Sequence, residues 1–305
     1  MERLDEELLE TIVDLHGVPE GSFNIRKNGK LLARNTNTDI EIVSKTDKDG
    51  IDIIVKPGVK GKSVHIPVLL TVGDFHDLVY NDFYIGDNAD VTIIAGCGIH
   101  NDTCGDSVHD GIHTFYLGKN AKVRYVEKHY ADGTGEGKKQ FMPVTKIYLK
   151  ERSAFTMEST QLGGVTYTDR KTFATVGKDA QLIVKEKILT DGSEKAITNF
   201  KVNLRGKNSR ADIVSRSVAR GSSVQDFRSN MIGNNECFGH VECDGIVLDG
   251  ARIISVPKID AVSPEASLVH EAAVGKIAGE QLLKLMSLGL TEQEAEDAVI
   301  KGFLN

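Results

Sequence analysis

The chain has 305 residues, of which 40% are hydrophobic and 27% charged, with 37 Lys and Arg against 44 Asp and Glu for a net charge of −7. That length can bury a large core as one long domain or two, while the acidic balance excludes the basic footprint of a nucleic-acid-binding protein. With no apolar run approaching about 18 residues and no basic-then-apolar leader, neither a membrane span nor a signal peptide is expected, and four cysteines in a chain this long read as reduced cytoplasmic thiols, buried or metal-bound, rather than as a disulfide framework.

Residues 2–15 predict a short amphipathic helix, because Leu4, Leu8, Ile12 and Leu15 recur at three and four with acidic residues between them. Gly17 and Pro19 end it. Extended segments follow to residue 60: Ile40 and Ile42 alternate with polar residues, as do Ile51, Ile53 and Val55 after the Asp49-Gly50 turn.

From about residue 61 a loose repeat begins. Gly86-Asp87-Asn88-Ala89, Gly118-Lys119-Asn120-Ala121 and Gly177-Lys178-Asp179-Ala180 each open an alternating strand, and degenerate copies start at Lys150, Gly206 and Gly233, in steps of 27 to 32 residues. A turn-plus-strand unit at such a period predicts a solenoid of β-coils over 61–262, in which one inward face per coil stacks into a long core. The period leaves open whether one repeat is one coil or two. After residue 262 the pattern changes. Residues 266–274 read as a last extended segment, then a helix at about 279–288 is stopped by Gly289. A second helix starts at Thr291, where Thr291 and Glu294 form a capping box, and ends near Gly302. The expected organisation is thus 1–60 as helix and extended segments, 61–262 as the solenoid, and 263–305 as a helical tail. The tail's apolar surface must pack on the solenoid or on another protein.

Two windows hold metal-capable side chains. In Cys237–Cys243, a continuous strand places Cys237, Gly239, Val241 and Cys243 on one face and Phe238, His240 and Glu242 on the other, so both thiols are small packing atoms unless a bulge or a coil end brings thiol and imidazole together. The other window gathers Cys97, His100, Cys104, His109 and His113, at spacings compatible with metal ligation though in no zinc-finger order; its plain reading is a polar loop. The chain carries neither a G-x-x-x-x-G-K-[ST] loop nor a G-x-S-x-G elbow, so ATP hydrolysis and serine-hydrolase chemistry have no visible home.

Cys243-Asp244, Val256-Pro257, His270-Glu271-Ala272, Glu280-Gln281-Leu282, Gly289-Leu290 and Gly302-Phe303, in that order over about 65 residues, resemble the C-terminal part of the SufB/SufD family, scaffolds of the SUF iron–sulfur cluster assembly machinery. Val55-Lys56-Pro57-Gly58-Val59 leading to Ile66-Pro67 is similar to the lead-in of that family's β-helix, and the chain looks like a compact SufB-like member. The resemblance implies a mainly β chain with a right-handed parallel β-helix, flanked by the N-terminal helix and the C-terminal helix pair. It implies an iron–sulfur cluster held transiently or absent from the isolated chain, and an assembly role rather than catalysis. It implies a SufC-like ABC-type ATPase that docks on the C-terminal helices and hydrolyses the ATP. Pairing of two such chains, here as a homodimer, and contacts with a sulfur donor and apo-protein acceptors follow in the same way.

Where the family carries its best-known cluster cysteine, a few residues before Val256-Pro257, this chain has Gly250-Ala251, and Val269 stands in place of the first Glu of a Glu-His-Glu triplet. The expected ligands are therefore His270 and Glu271 with Cys243 or Cys237. Cys243 is preferred because it lies in the matching stretch, and His240 and Glu242 are held in reserve. A zinc-binding β-solenoid using the 97–113 window and a polysaccharide-active β-helix enzyme are the alternatives; the absence of Trp and 6% aromatics count against the second.

Overall fold

The computed structural model describes residues 3–15, 19 and 21–304. Its strands wind into a β-solenoid of about eight turns, each coil giving one strand to each of two facing sheets. The first sheet runs from Lys60–Leu70 through Asp90–His100, Lys122–Asp132, Ala154–Gln161, Gln181–Thr190, Ser209–Ala219 and Cys237–Val247 to Ala266–Gly275. The second runs from Gly50–Val55 through Phe75–Ile85, Ser107–Leu117, the split pair Lys139–Phe141 and Val144–Leu149, then Tyr167–Val176, Lys195–Leu204 and Val224–Gly233 to Arg252–Ala261. Successive coils pair in parallel and in register: Asp90 lies on Lys122, Lys122 on Ala154, Ala154 on Gln181 and Gln181 on Arg210. One sequence repeat is therefore one coil, which the period alone left open.

The repeat motif has a conformational cause. Asn88, Asn120, Arg152, Asp179 and Asn208 all sit at φ between 52° and 60°, the left-handed turn that Asn and Asp adopt most readily among non-glycine residues. Their side chains form a ladder, Asn120 Nδ2 donating to Asn88 Oδ1 at 3.0 Å and Arg152 Nε to Asn120 Oδ1 at 2.8 Å. The next residue of each motif turns inward and is small: Ala89, Ala121, Ser153, Ala180 and Ser209 are all buried. Cys237 stacks on Ser209 in that same slot.

Inward positions elsewhere are mostly Val, Ile, Leu and Phe, which form one continuous core from Ile40 to Cys243. At the N-terminal end two short antiparallel hairpins lie over the coils, Ser22–Lys27 with Lys30–Asn35 on the first sheet and Ile40–Ser44 with Gly50–Val55 on the second. At the other end Arg252–Ala261 and Ala266–Gly275 are the terminal strands of their sheets, each with one free edge.

Among the described residues three helices pack outside. Helix α1, Arg3–Val13, falls within the predicted span; residue 2 and the Gly17 stop lie outside the described residues. Its Leu8, Leu9, Ile12 and Val13 cover the first sheet where Gly96 and Gly98 leave room, and Asp5 and Asp14 pair with Lys27 and Lys128, each at 2.7 Å. Helices α2, Gly279–Ser287, and α3, Glu292–Leu304, form the expected pair, with the Thr291–Glu294 capping box in place: Thr291 N donates to Glu294 Oε2 at 2.8 Å and Glu294 N to Thr291 Oγ1 at 3.3 Å. The pair packs on the solenoid through Ile277, Ile300, Val299 and Phe303 against Val218 and Ile246, and Arg220 clamps α3 through Glu296 at 3.0 Å and Asp297 at 2.8 Å. Leu283 and Leu288 stay 67% and 74% exposed.

A Cβ on Gly96 would lie 2.8 Å from both the side chain and the backbone of Ile12, so Gly96→Val forces α1 off its seat. The expected cost is about 1–3 kcal/mol in urea unfolding, with amide exchange rising in α1, whereas Gly275→Ala, which meets nothing within 4 Å, shows neither effect.

Candidate functional site

The predicted ligands fall on the last two coils of the first sheet, and the pleat divides them. Cys237, Val241 and Cys243 face the core, and in-register pairing of Val241 with His270 turns His270 inward at the rim. His240, Glu242 and Glu271 face out. No bulge interrupts the pairing of these strands, so thiol and outer imidazole stay on opposite faces. Cys237, 6% exposed, fills the small corner slot of the repeat. Cys243, 1% exposed, has its pKa pushed up by burial, with the nearby Ser255 hydroxyl acting the other way. His270 Nε2 is buried without a hydrogen-bond partner, and burial together with the nearby His240 holds its pKa below the ordinary imidazole value.

On the outer face the three reserve and predicted residues converge. His240, Glu242 and Glu271 each offer a ligand atom, and these atoms lie within 4.8 Å of one another, the one group of three or more such side chains among the described residues. His240 Nδ1 donates to Asp212 Oδ1 at 2.8 Å, which fixes the ring and leaves Nε2 pointing to Glu271 Oε2 at 3.8 Å. The hydrogen bond to Asp212, with Glu271 and Glu242 nearby, raises the His240 pKa. Burial and a hydrogen bond with Asp244 raise that of Glu242.

The 97–113 window does not assemble as one site. Cys97, His109 and His113 point into the lumen, His100 lies at the strand end between Asp132 at 2.7 Å and Asp102 at 3.0 Å, and Cys104 is exposed on the following loop. The cause is again the pleat: the strand Ser107–Leu117 carries His109 and His113 inward, while Cys104 falls on the loop 101–106, which stacks on the next coil's loop through Gly135 N to Asn101 O and Gly137 N to Thr103 O.

His109 and His113 instead belong to a polar row that the sequence reading missed. One inward column stacks Glu127, Ser159, Glu186, Ser215 and Cys243, one per coil. Arg170 crosses the lumen to Glu127 and reaches His129 Nδ1 at 3.1 Å and Glu186 Oε1 at 3.7 Å, while Ser215 Oγ donates to Glu186 Oε2 at 2.8 Å. Toward the N-terminal end, Asn81 Nδ2 lies 3.2 Å from His113 Nε2, His113 Nδ1 lies 2.8 Å from the Tyr125 hydroxyl, and Tyr125 donates to Glu127 Oε1 at 2.8 Å. With Tyr125 as donor, His113 is the neutral tautomer that donates from Nδ1 and accepts at Nε2. Asp77 takes Arg26 Nη2 and His109 Nδ1, each at 3.0 Å. Burial pushes His113 down to about 4 and His129 to about 3. For His109 burial acts downward too, but Cys97 and Asp77 outweigh it and raise it to about 10. Arg170, with His129 and His113, overcomes the burial of Glu127 and holds its pKa far below the carboxylate range, whereas burial leaves that of Glu186 raised. The signal was present in the alternation: on the strand Val123-Tyr125-Glu127-His129-Ala131 the inward phase is set by Val123 and Ala131, and Glu127 and His129 share it.

The chain is thus a β-solenoid with a buried ionic row and metal-capable side chains on its last coils, where Asp212, Phe238, His240, Val269 and Glu271 line an open pocket. The profile described as "SUF system FeS cluster assembly, SufBD core domain" matches residues 81–303. The chain belongs to that family. It is 32% identical over 280 residues to an iron-sulfur cluster assembly SufBD family protein of Archaeoglobus fulgidus, covering 90% of this chain and 73% of the relative. A protein of the same description from Methanothermobacter thermautotrophicus is 30% identical over 263 residues, covering 84% and 62%. One from Methanocaldococcus jannaschii is 27% identical over 298 residues, covering 95% and 92%. This chain thus spans less than two thirds of one of these relatives and nearly all of another.

The interior row makes stability pH-dependent. His113 and His129 titrate near 6.5 when unfolded and near 4 and 3 when folded. Their depressed pKa values contribute stability that is full above pH 6.5 and is lost as pH falls from there toward 4 and 3. His113→Gln is expected to flatten that acid slope in urea titrations. Arg170→Met strands Glu127 and Glu186 in the core, at an expected cost of about 3–5 kcal/mol at pH 7. That deficit shrinks as pH falls, because without Arg170 burial raises the pKa of the stranded carboxyls and they take up protons.

Proposed function

We propose that the protein is a cytoplasmic, non-enzymatic scaffold on which an iron–sulfur cluster is assembled and handed on. It works with a SufC-like ABC-type ATPase that supplies the hydrolysis. The observation that carries the reading is the uncapped C-terminal end of the solenoid. There Cys243 and His270 line the inner rim, and His240, Glu242 and Glu271 lie on the outer face of the same two coils. Cluster iron needs thiolate, and tolerates imidazole and carboxylate beside it in a site meant to release its cargo. In this reading Cys243, His270 and Glu271 are the cluster ligands, and Cys237 is a packing residue. Because His270 and Glu271 point to opposite faces, both reach one cluster only at the end of the coil stack, where a second copy of the chain pairs along the free edges of Arg252–Ala261 and Ala266–Gly275. Among the described residues no helix is long and apolar enough to cross a membrane. The ATPase docks on α2 and α3, whose Leu283 and Leu288 are left uncovered by the solenoid; the sulfur donor and the apo-protein acceptors act at the cluster.

Anaerobic reconstitution with iron and sulfide tests the scaffold. The expected result is a visible-absorbing cluster with acid-labile sulfide, weakened severalfold by Cys243→Ala, His270→Ala or Glu271→Ala in variants whose circular dichroism is unchanged. Stoichiometric zinc without sulfide, or wild-type cluster content in all three variants, overturns the ligand assignment. Leu283→Glu with Leu288→Glu should abolish co-purification with the co-expressed ATPase while leaving the unfolding midpoint unmoved, since neither side chain is buried.

A further inference from the structure

The outer group differs chemically from the inner one. His240, Glu242 and Glu271 offer one nitrogen and two carboxylates within 4.8 Å, and no sulfur. The two thiols on the same strand face the core, so neither reaches the outer face without breaking the pairing. A second copy adds no outward thiol on these coils, because it carries the same inward Cys237 and Cys243. Without thiolate the group is poorly suited to sulfide-bridged iron but well suited to a single divalent ion of the first transition row: imidazole favours Fe2+ and Zn2+ over Mg2+ and Ca2+, and carboxylates complete a hard, open site.

Two further features fit an ion. His240 is held from behind by the Asp212 carboxylate at 2.8 Å, the arrangement that orients a metal-bound imidazole and fixes its tautomer. Four carboxylates, from Asp212, Glu242, Asp244 and Glu271, share this outer patch around His240. Two guanidiniums flank the patch: Arg210 lines the same pocket as His240 and Glu271, and Arg216 is turned partly to α3, where Nη1 lies 3.4 Å from the Phe303 carbonyl oxygen.

We infer that His240, Glu242 and Glu271 form a mononuclear ferrous-ion site, oriented by Asp212, which takes iron as a bare cation before sulfide is present; it shares Glu271 with the proposed cluster ligands but, unlike the rim around Cys243, has no sulfur donor. Naming the ion as iron rests on the scaffold reading; the nitrogen–oxygen site itself does not. The imidazole of His240 and the thiol of Cys243 are set on opposite faces of one sheet wall, with Glu271 the ligand common to the ion site and the proposed cluster.

The test uses the full chain, made metal-free and kept anaerobic without sulfide, titrated with CoCl2 and then with a ferrous salt. One ion per chain is expected, with cobalt d–d bands, no sulfur-to-cobalt charge-transfer band, and no displacement by excess Mg2+. His240→Ala and Glu271→Gln, both at the surface, should remove stoichiometric binding, and Asp212→Ala should weaken it on the order of 10- to 100-fold. No saturable binding, displacement by Mg2+, binding unchanged in His240→Ala and Glu271→Gln, or a sulfur-to-cobalt band abolished by Cys243→Ser would each overturn the inference. Adding sulfide afterwards separates the two readings. A wild-type chain that binds one ion but forms no cluster keeps the ion site and loses the scaffold. A chain that forms cluster but binds no ion beforehand loses the ion site and keeps the scaffold.

Discussion

Arg170 is the interaction on which the interior depends. It is a fully buried guanidinium facing two buried carboxylates, Glu127 and Glu186, from the opposite wall of a narrow lumen. A buried charge is tolerable only if paired and hydrogen-bonded, and here the coil stacking supplies the partners. Glu127 and Glu186 occupy the same inward column two coils apart, with Ser159 between them and Ser215 and Cys243 beyond. Hydrophobic coils on either side could slip or repack at little cost. These polar coils cannot slip by one residue without reversing every face and leaving Arg170 in a dry core.

The fold was legible because it repeats. A left-handed corner at Asn88, Asn120, Asp179 and Asn208, followed by a small inward residue, left a mark in the sequence at four of the coils. The C-terminal helices were legible through Gly289 and the Thr291–Glu294 box, which act within a few residues. The site was harder to read. Which of Cys243, His240, Glu242, His270 and Glu271 share a face follows from parity along a strand, but which of them meet depends on contacts a whole coil apart, as between His240 and Glu271. Spacing along the chain also joined Cys97, His100, Cys104, His109 and His113, which the structure distributes over lumen, strand end and loop. Arg170 and Glu186 were passed over because each looks like an ordinary surface charge until the inward phase of its strand is followed.

That same parity organises the proposed site on the last coils. One strand, Cys237–Val247, presents small and thiol side chains to the core and imidazole and carboxylates to solvent, and the next coil adds His270 to the first set and Glu271 to the second. A single sheet wall thereby holds two donor sets of different softness without mixing them, a separation that a loop-built site could keep only by rigidifying the loops.

The two ends of the solenoid are unequal, and this sets a limit on growth. Short antiparallel hairpins lie over one end, while the other offers two ten-residue edges, Arg252–Ala261 and Ala266–Gly275. Stacked head to tail, an open-ended solenoid would extend into a fibre; joined tail to tail, as proposed, two copies would consume both long edges and leave only the short edges of Lys30–Asn35 and Ile40–Ser44. The unequal ends would thus act as a chain terminator, favouring the proposed closed pair over a filament.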